Sequence, residues 1–361
     1  MFLAVLLNME NTKNIAKKNR VLIIGPAPQN TGGVSIHIRR LINMIKDYVT
    51  IDFVDEGRKH WDGIFNLRTL NLYKYLHKIV KADVVYINSS VFILRLGNIL
   101  ASKLFFRKTI VTIHRDLTIE KQKKITIAAL KLCDRVIVVN DKTFDFLKNH
   151  INKNKLHLIP AFLPPIMDEE PELPLHVKEW VNNARKCHDS ILMVSNASKL
   201  VLHNGADLYG LDMCIDLISK LFEMGKDNFY LIFIVIVNSD KQRLMLEDYK
   251  KLVAEAKLQK RILIIDEPLS FVRLITISDI ILRTTNTDGD AISIREGLFF
   301  GKKVIASDVV KRPEGVLTFK TRDINSLINV VLSNVTDNTN IPTIEQVDYI
   351  KLYSSILGFN L

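Results

Sequence analysis

The chain has 361 residues, 48% of them hydrophobic, which is enough for two packed domains and excludes a disordered or fibrous chain. Its net charge of +11 is unevenly spread: residues 1–189 hold 30 Lys and Arg against 18 Asp and Glu, the remainder 20 against 21. Three scattered cysteines without a CxxC pair exclude a disulfide framework and a thiolate zinc site, and no stretch approaches the roughly 20 apolar residues of a spanning helix.

The opening MFLAVLLNM is apolar only briefly and follows no basic segment, so a cytoplasmic chain is expected, with Met9 as an alternative start. In chain order, apolar strands are expected over 20–24, 50–54, 84–87, 109–113, 135–139 and 156–159, with helices between them, as over 35–46 and 70–81. Five prolines then fall between Pro160 and Pro174, the composition of a semi-rigid linker. Strands resume over 190–194, 230–237, 261–265, 280–282 and 303–306, separated by helices at about 211–224, 241–257 and 291–300. This alternation reads as an α/β protein with two doubly wound parallel sheets. The boundaries expected are a first domain over 1–165, a linker over 166–188, a second domain over 189–343, and a tail, 344–361, whose helix crosses back onto the first domain. Ligands of such sheets bind beyond the carboxyl ends of the strands, here in the cleft between two facing domains.

Four places along this frame carry chemistry. In VLIIGPAPQNTGGVSIHIRRL, Gly32 and Gly33 open a helix straight after a strand, where backbone N–H groups suit an anion. The spacing is not GxGxxG, so a dinucleotide fingerprint is absent. His114 ends the strand TIVTIH. SNASKLVLHNGADLYG follows the first strand of the second domain. Finally, TNTDGDAISIREGLFFGKKVIASD (285–308) sets Asp288 eight positions before Glu296, across a Gly-containing turn and a helix start. Ionised carboxylates only accept hydrogen bonds, which fits them to hydroxyl-rich partners.

That last run resembles the E-x7-E signature of retaining GT-B glycosyltransferases, with Asp in the first acidic place, and the whole pattern is similar to glycosyltransferase family 4 (group 1) of the bacterial cell-surface polysaccharide type. The resemblance implies a GT-B fold of two Rossmann-like domains facing a central cleft. It implies transfer of a hexose from a nucleotide diphosphate sugar, a UDP-sugar by preference, to a glycan or lipid-linked glycan. By the same resemblance Asp288 accepts from donor-sugar hydroxyls and Glu296 from the nucleotide ribose. Gly289, Asp290 and Ala291 line the sugar–phosphate side, Gly32 and Gly33 lie against the donor phosphates, and His114 stands at the acceptor and sugar. The nucleobase is expected near Asp266–Leu269.

One departure stands out. Where the family carries Gly-Arg and Lys-Gly to clamp the diphosphate, this chain has Asn196-Ala197 and Tyr209-Gly210. Lys199 is the local substitute, with Arg283 or Arg295 assisting, and Asn196 remains a donor-binding candidate. No cofactor or obligatory metal is implied. Two other readings stay open: a nucleotide-sugar epimerase of GT-B-like fold, and a catalytically silent module that binds sugar nucleotide or membrane. FFRK (105–108) and EKQKKITIAALKL (120–132) set basic residues beside apolar ones, which suits an anionic membrane surface and a peripheral location on the inner face. Nucleic acid is not an expected partner, since no helix-turn-helix, RRM or zinc module is visible.

Overall fold

The computed structural model describes residues 18–30, 32–289, 291–335 and 347–361. The first lobe is a six-stranded sheet in the order β2-β1-β3-β4-β5-β6, with β1 Arg20–Gly25, β2 Thr50–Asp55, β3 Val84–Ile87, β4 Lys108–Ile113, β5 Arg135–Val138 and β6 Leu156–Leu158. Every pairing in it is parallel. A parallel sheet needs its crossovers on the faces, so its strands are buried on both sides and read as continuous apolar runs. VLII in β1 and VVYI in β3 are such runs, and all eight residues are buried.

The helices divide between the two faces. On one side lie α1 (Gly33–Ile45) and the last helix, Tyr349–Leu357, whose Tyr353, Ile356 and Leu357 share a core with Ile38, Leu41 and Ile45. The start expected for that last helix lies outside the described residues. On the other side lie α2 (Leu72–Lys81), α3 (Phe92–Leu104), α4 (Lys123–Leu132) and α5 (Asp141–Leu147), which pack on the alternate residues of the same strands.

The second lobe repeats the plan. Its sheet runs β11-β10-β7-β12-β13-β14, all parallel, with β7 Ile191–Ala197, β10 Phe229–Val235, β11 Ile262–Ile265, β12 Ile280–Arg283, β13 Lys303–Ser307 and β14 Val316–Phe319. Helices α7 (Leu211–Glu223), α8 (Asp240–Glu255), α9 (Phe271–Ile277), α10 (Ile292–Phe299) and α11 (Ile324–Val335) cover it, and a two-stranded hairpin of β8 (Leu202–His203) and β9 (Ala206–Asp207) follows β7. Strand order reverses at β1/β3 in the first sheet and at β7/β12 in the second, so each lobe opens a crevice there at the carboxyl ends. Residues 175–184, inside the expected linker, form α6 (Leu175–Ala184), whose Val177 and Val181 are buried in the core of the second lobe.

One glycine shows how tightly the second crevice is closed at its base. Gly210 caps α7 with φ +75°, and a Cβ there would lie 2.5 Å from Thr284 Oγ1 and 2.7 Å from Thr284 Cβ. Gly205 in the exposed hairpin has φ +80° with nothing within 4 Å. Gly210→Ala therefore carries both left-handed strain and collision, and should lower stability by about 2 kcal/mol or more. Gly205→Ala carries strain alone, about 1 kcal/mol. Urea midpoints of the two variants measure the difference.

Candidate functional site

Between the lobes lies a cavity of about 850 Å³, lined from both sides. The first lobe contributes Gly32, Gly33, Arg39, Arg40 and His114, and the second contributes Asn196, Tyr209, Arg283, Asp288, Ala291 and Glu296. The wall also includes residues 266–270. Two helices start at it, α1 after Gly32 and α10 after Ala291, and neither N-cap residue makes a side-chain capping bond. Their first N–H groups therefore remain open toward an anion. The two starts are close, because a Cβ on Gly33 would touch Ile292 Cδ1 at 3.4 Å.

The two carboxylates sit here as expected in place but not in state. Asp288 lines the cavity, yet both its oxygens are taken. Arg283 Nε donates to Oδ2 at 3.1 Å and its Nη2 to Oδ1 at 2.9 Å, while Arg312 Nη1 donates to Oδ2 at 2.8 Å. Burial pushes this carboxyl up, but Arg283 and Arg312 together hold it below the usual carboxylate range. Two guanidiniums on one carboxylate leave the cluster with a net positive charge. Arg283 is thus aimed rather than neutralised: its fork grips Asp288, its guanidinium lies 5.2 Å from the Tyr209 ring centroid, and its Nη1 makes no bond among the described residues.

Glu296 is 4% exposed and forms a short ion pair with Arg40 of the opposite lobe. Arg40 Nη1 also donates to the Leu163 carbonyl at 3.0 Å, and its Nε is buried without a partner. Burial pushes the Glu296 carboxyl up, and Arg40 opposes this. Arg39, the next residue on α1, is exposed on the cavity wall and has no ion pair among the described residues. Gly33, His37 and Arg40 follow one stripe of the helix, spaced by four and three residues, which is why one face of α1 carries both the open helix end and a cation.

His114 projects into the cavity from beyond the end of β4. Its Nε2 meets Asn88 Oδ1 at 2.9 Å, and its ring stands edge-on to His37 with centroids 5.4 Å apart. Burial and the neighbouring His37 put its pKa well below the usual histidine value, so the imidazole is neutral. His37 beneath it is neutral too. Burial lowers it to about 4, against the opposing bond in which Nδ1–H donates to the Ala161 carbonyl at 2.9 Å. Asn196 lines the second crevice with a buried Oδ1 that has no protein partner, a free acceptor.

Three residues expected at the site stand off the cavity wall. Lys199 is exposed and off the cavity wall, because the chain leaves the sheet at Ala197 and carries the lysine outward; Ser198 is the last residue of that loop to reach the cavity. Gly289 is also exposed and off the wall, with its N–H turned back on Asp288 Oδ1 at 3.0 Å. Asp290 lies outside the described residues. Arg295, proposed as an assisting cation, does not line the cavity. The sequence reading missed Arg39, Arg40 and Arg312. The pair Arg39-Arg40, two turns into the helix that Gly32-Gly33 opens, was a usable signal for the first two. Arg312 has none, since it reaches Asp288 from 24 residues away. Among the described residues no group of three or more His, Cys, Asp and Glu gathers as metal ligands.

No protein-family model matches the sequence, and no curated protein sequence matches it. Solved structures do share its architecture. HepE of Anabaena in complex with UDP-glucose superposes with a TM-score of 0.64 at 12% identity, covering 94% of this chain and 95% of that one. A glycosyltransferase from Rickettsia africae gives 0.63 at 18% identity, covering 88% of each chain. The lipopolysaccharide outer core galactosyltransferase WaaB in apo form gives 0.58 at 14% identity, covering 94% and 99%. The fold is GT-B. Identities this low show the architecture, and the chemistry rests on the residues above.

Two outcomes follow for this site. Arg40→Leu alone strands a buried carboxylate and should cost about 3–5 kcal/mol, whereas Arg40→Leu with Glu296→Leu should recover most of the loss, read from urea unfolding of the three variants. His37 binds no proton in the folded state until pH falls to about 4, whereas the unfolded chain takes one up near the ordinary histidine value of 6.5. Stability from this residue is therefore full above pH 6.5 and is lost as pH falls through that window, by about 3 kcal/mol in all. Melting temperatures across the range should fall less steeply in His37→Gln.

Proposed function

We infer that this protein is a glycosyltransferase that moves a hexose from a nucleotide diphosphate sugar to a hydroxyl of a glycan or lipid-linked glycan. The observation that carries the reading is the convergence on one interlobe cavity of two open helix N-termini, an aimed Arg283 and an unpaired Arg39. A diphosphate is the ligand that such a surface would hold, and it is also the leaving group whose growing charge must be stabilised. These groups replace the missing family clamp, and the reading assigns the counter-charge to them rather than to a metal ion. UDP is the favoured nucleotide: HepE, of the same fold, is solved with UDP-glucose. Residues 266–270 are the place for its base, and neutral His114 and Asn196 Oδ1 are the hydrogen-bonding groups for sugar and ribose hydroxyls.

In this reading the anomeric carbon–oxygen bond to the diphosphate breaks and the acceptor oxygen bonds to the same face. The acceptor proton passes to the departing phosphate, so the configuration is retained and no protein base is required. Asp288 positions Arg283 rather than the sugar. Glu296 serves the ribose only by exchanging its bond to Arg40, which frees a second cation at the moment the donor binds. The role proposed in the cell is synthesis of surface polysaccharide from the cytoplasmic side, the acceptor being presented at a membrane.

The test begins with thermal shift over nucleotide sugars, since a ligand that binds only the folded state raises Tm. UDP-hexoses and UDP should raise it, and no shift with any nucleotide sugar would sink the reading. Product formed without acceptor would point to an epimerase, and binding without turnover on any acceptor to a silent module. Arg283→Gln should lower kcat by about 10²–10³-fold, as for other preorganised donors to a developing anion, and weaken UDP binding in the same assay.

A further inference from the structure

Twelve of the 23 large apolar side chains exposed among the described residues fall between Leu70 and Leu132. The same stretch, 70–132, holds 12 Lys and Arg against three Asp and Glu, a net +9 in a chain whose total is +11. Apolar surface and positive charge are thus concentrated together in about a sixth of the chain.

The fold gathers this stretch onto one surface. Helices α2, α3 and α4 lie over the same face of the first sheet, with Tyr75, Ile79, Ile99, Ala129 and Leu130 in one core. Their outer sides point away from α1 and present Leu72, Tyr73, Ile93, Leu104 and Ile125. Phe106 follows α3 and is 94% exposed with φ +54°. That position, where the N–H of Arg107 closes on the Ser102 carbonyl at 3.0 Å, is one that glycine or asparagine ordinarily fills. A phenylalanine there is strained and has nothing to pack on. The three acids of the stretch are occupied: Glu120 by Arg95, Asp116 by the N–H of Thr118, and Asp83 by the N–H of Arg20. Lys81, Lys121, Lys124 and Lys131 are exposed and carry no ion pair among the described residues.

We propose that the outer surface of α2, α3 and α4, with Phe106 inserted below the headgroups, docks on an anionic lipid bilayer. The partner must offer negative charge and an apolar interior at once, and a bilayer surface does so. A second copy of this face would meet it with like charge. A polyanion without apolar surface would leave Phe106, Ile93 and Leu104 uncovered. The turn from His114 to Ile119 joins this face to the cavity rim, so a lipid-linked acceptor would arrive from the side on which the cavity is lined by the first lobe. Only that last consequence rests on the glycosyltransferase reading; lipid binding itself does not.

The test is co-sedimentation of the full chain, without donor, with phosphatidylcholine vesicles and with vesicles that also contain phosphatidylglycerol. Binding is expected only to the second, and it should weaken at least about tenfold as salt shortens the screening length. Phe106→Ser and the pair Lys121→Glu/Lys124→Glu should each weaken it at least about tenfold. The pair Lys241→Glu/Lys260→Glu, with the same change in net charge on the second lobe, should not. All of these positions are exposed, so the variants should fold, and an unchanged Tm checks this. Three results would overturn the proposal: no binding to anionic vesicles, equal losses in both charge-reversal pairs, or a dimer in light scattering that Phe106→Ser dissociates while no vesicle is bound. Because UDP-dependent thermal shift is read without lipid, failure of the donor reading and failure of the docking reading are separable.

Discussion

The buried ion pair between Arg40 and Glu296 is the constraint around which the cleft is arranged. It joins α1 of one lobe to α10 of the other, at the point where both helix ends open on the cavity. Both groups have lost most of their water, so each depends on the other, and neither lobe can move away without exposing a charge to an imperfect partner. The same Arg40 holds the Leu163 carbonyl, which ties the chain leaving the first lobe into the contact. Phe162 adds an apolar contact beside it, 5.6 Å from the Phe299 ring and 6.1 Å from that of Tyr349. This desolvated charge pair with its aromatic flank thus holds the lobes together beside the approach of Gly33 to Ile292 and the bonds that Arg273 donates to the Met167 and Glu170 carbonyls. A ligand carboxylate or diphosphate that competes for Arg40 acts directly on it.

Carboxylates in this cleft work mainly by controlling arginines. Asp288 fixes Arg283 and Arg312, and Glu296 fixes Arg40. Around Asp288 this leaves Nη1 of the cavity-lining Arg283 without a bond among the described residues, and in both places the carboxylate limits the repulsion that close cations would otherwise suffer. Preorganised donors of this kind need little rearrangement when charge develops on a ligand, which is the physical advantage of holding them with protein carboxylates rather than with water. The two neutral histidines belong to the same economy of charge, since protonating either would add a further cation to an already positive, poorly solvated region.

Much of the architecture was legible along the chain. Buried parallel strands must be apolar on both faces, so runs such as VLII, VVYI and IVTI announced themselves, and the alternation with helices implied doubly wound sheets. Short pieces escaped notice: β14 has an exposed threonine in VLTF, and α6 lies within a proline-rich stretch. In the site, Gly32, Gly33, His114, Asn196, Asp288 and Glu296 were marked by position at strand ends and helix starts, and all of them line the cavity. Lys199 and Gly289 shared that position in sequence but are exposed, because the direction a loop residue takes is decided by its turn rather than by its place after a strand.

What the sequence determined by itself was local and periodic: which segments are strands or helices, where glycines permit a helix end to meet a ligand, and how unevenly charge is spread. These follow from backbone sterics and from burial on repeating faces, both readable over a few neighbouring residues. Only the tertiary structure decided which charges are spent on one another. Arg40 meets Glu296 across 256 positions and Arg312 meets Asp288 across 24, and no periodicity links such residues. Pairing of this kind depends on distance and desolvation in the folded state, which for Arg312 and Asp288 exist once the second lobe has folded and for Arg40 and Glu296 only once the two lobes meet.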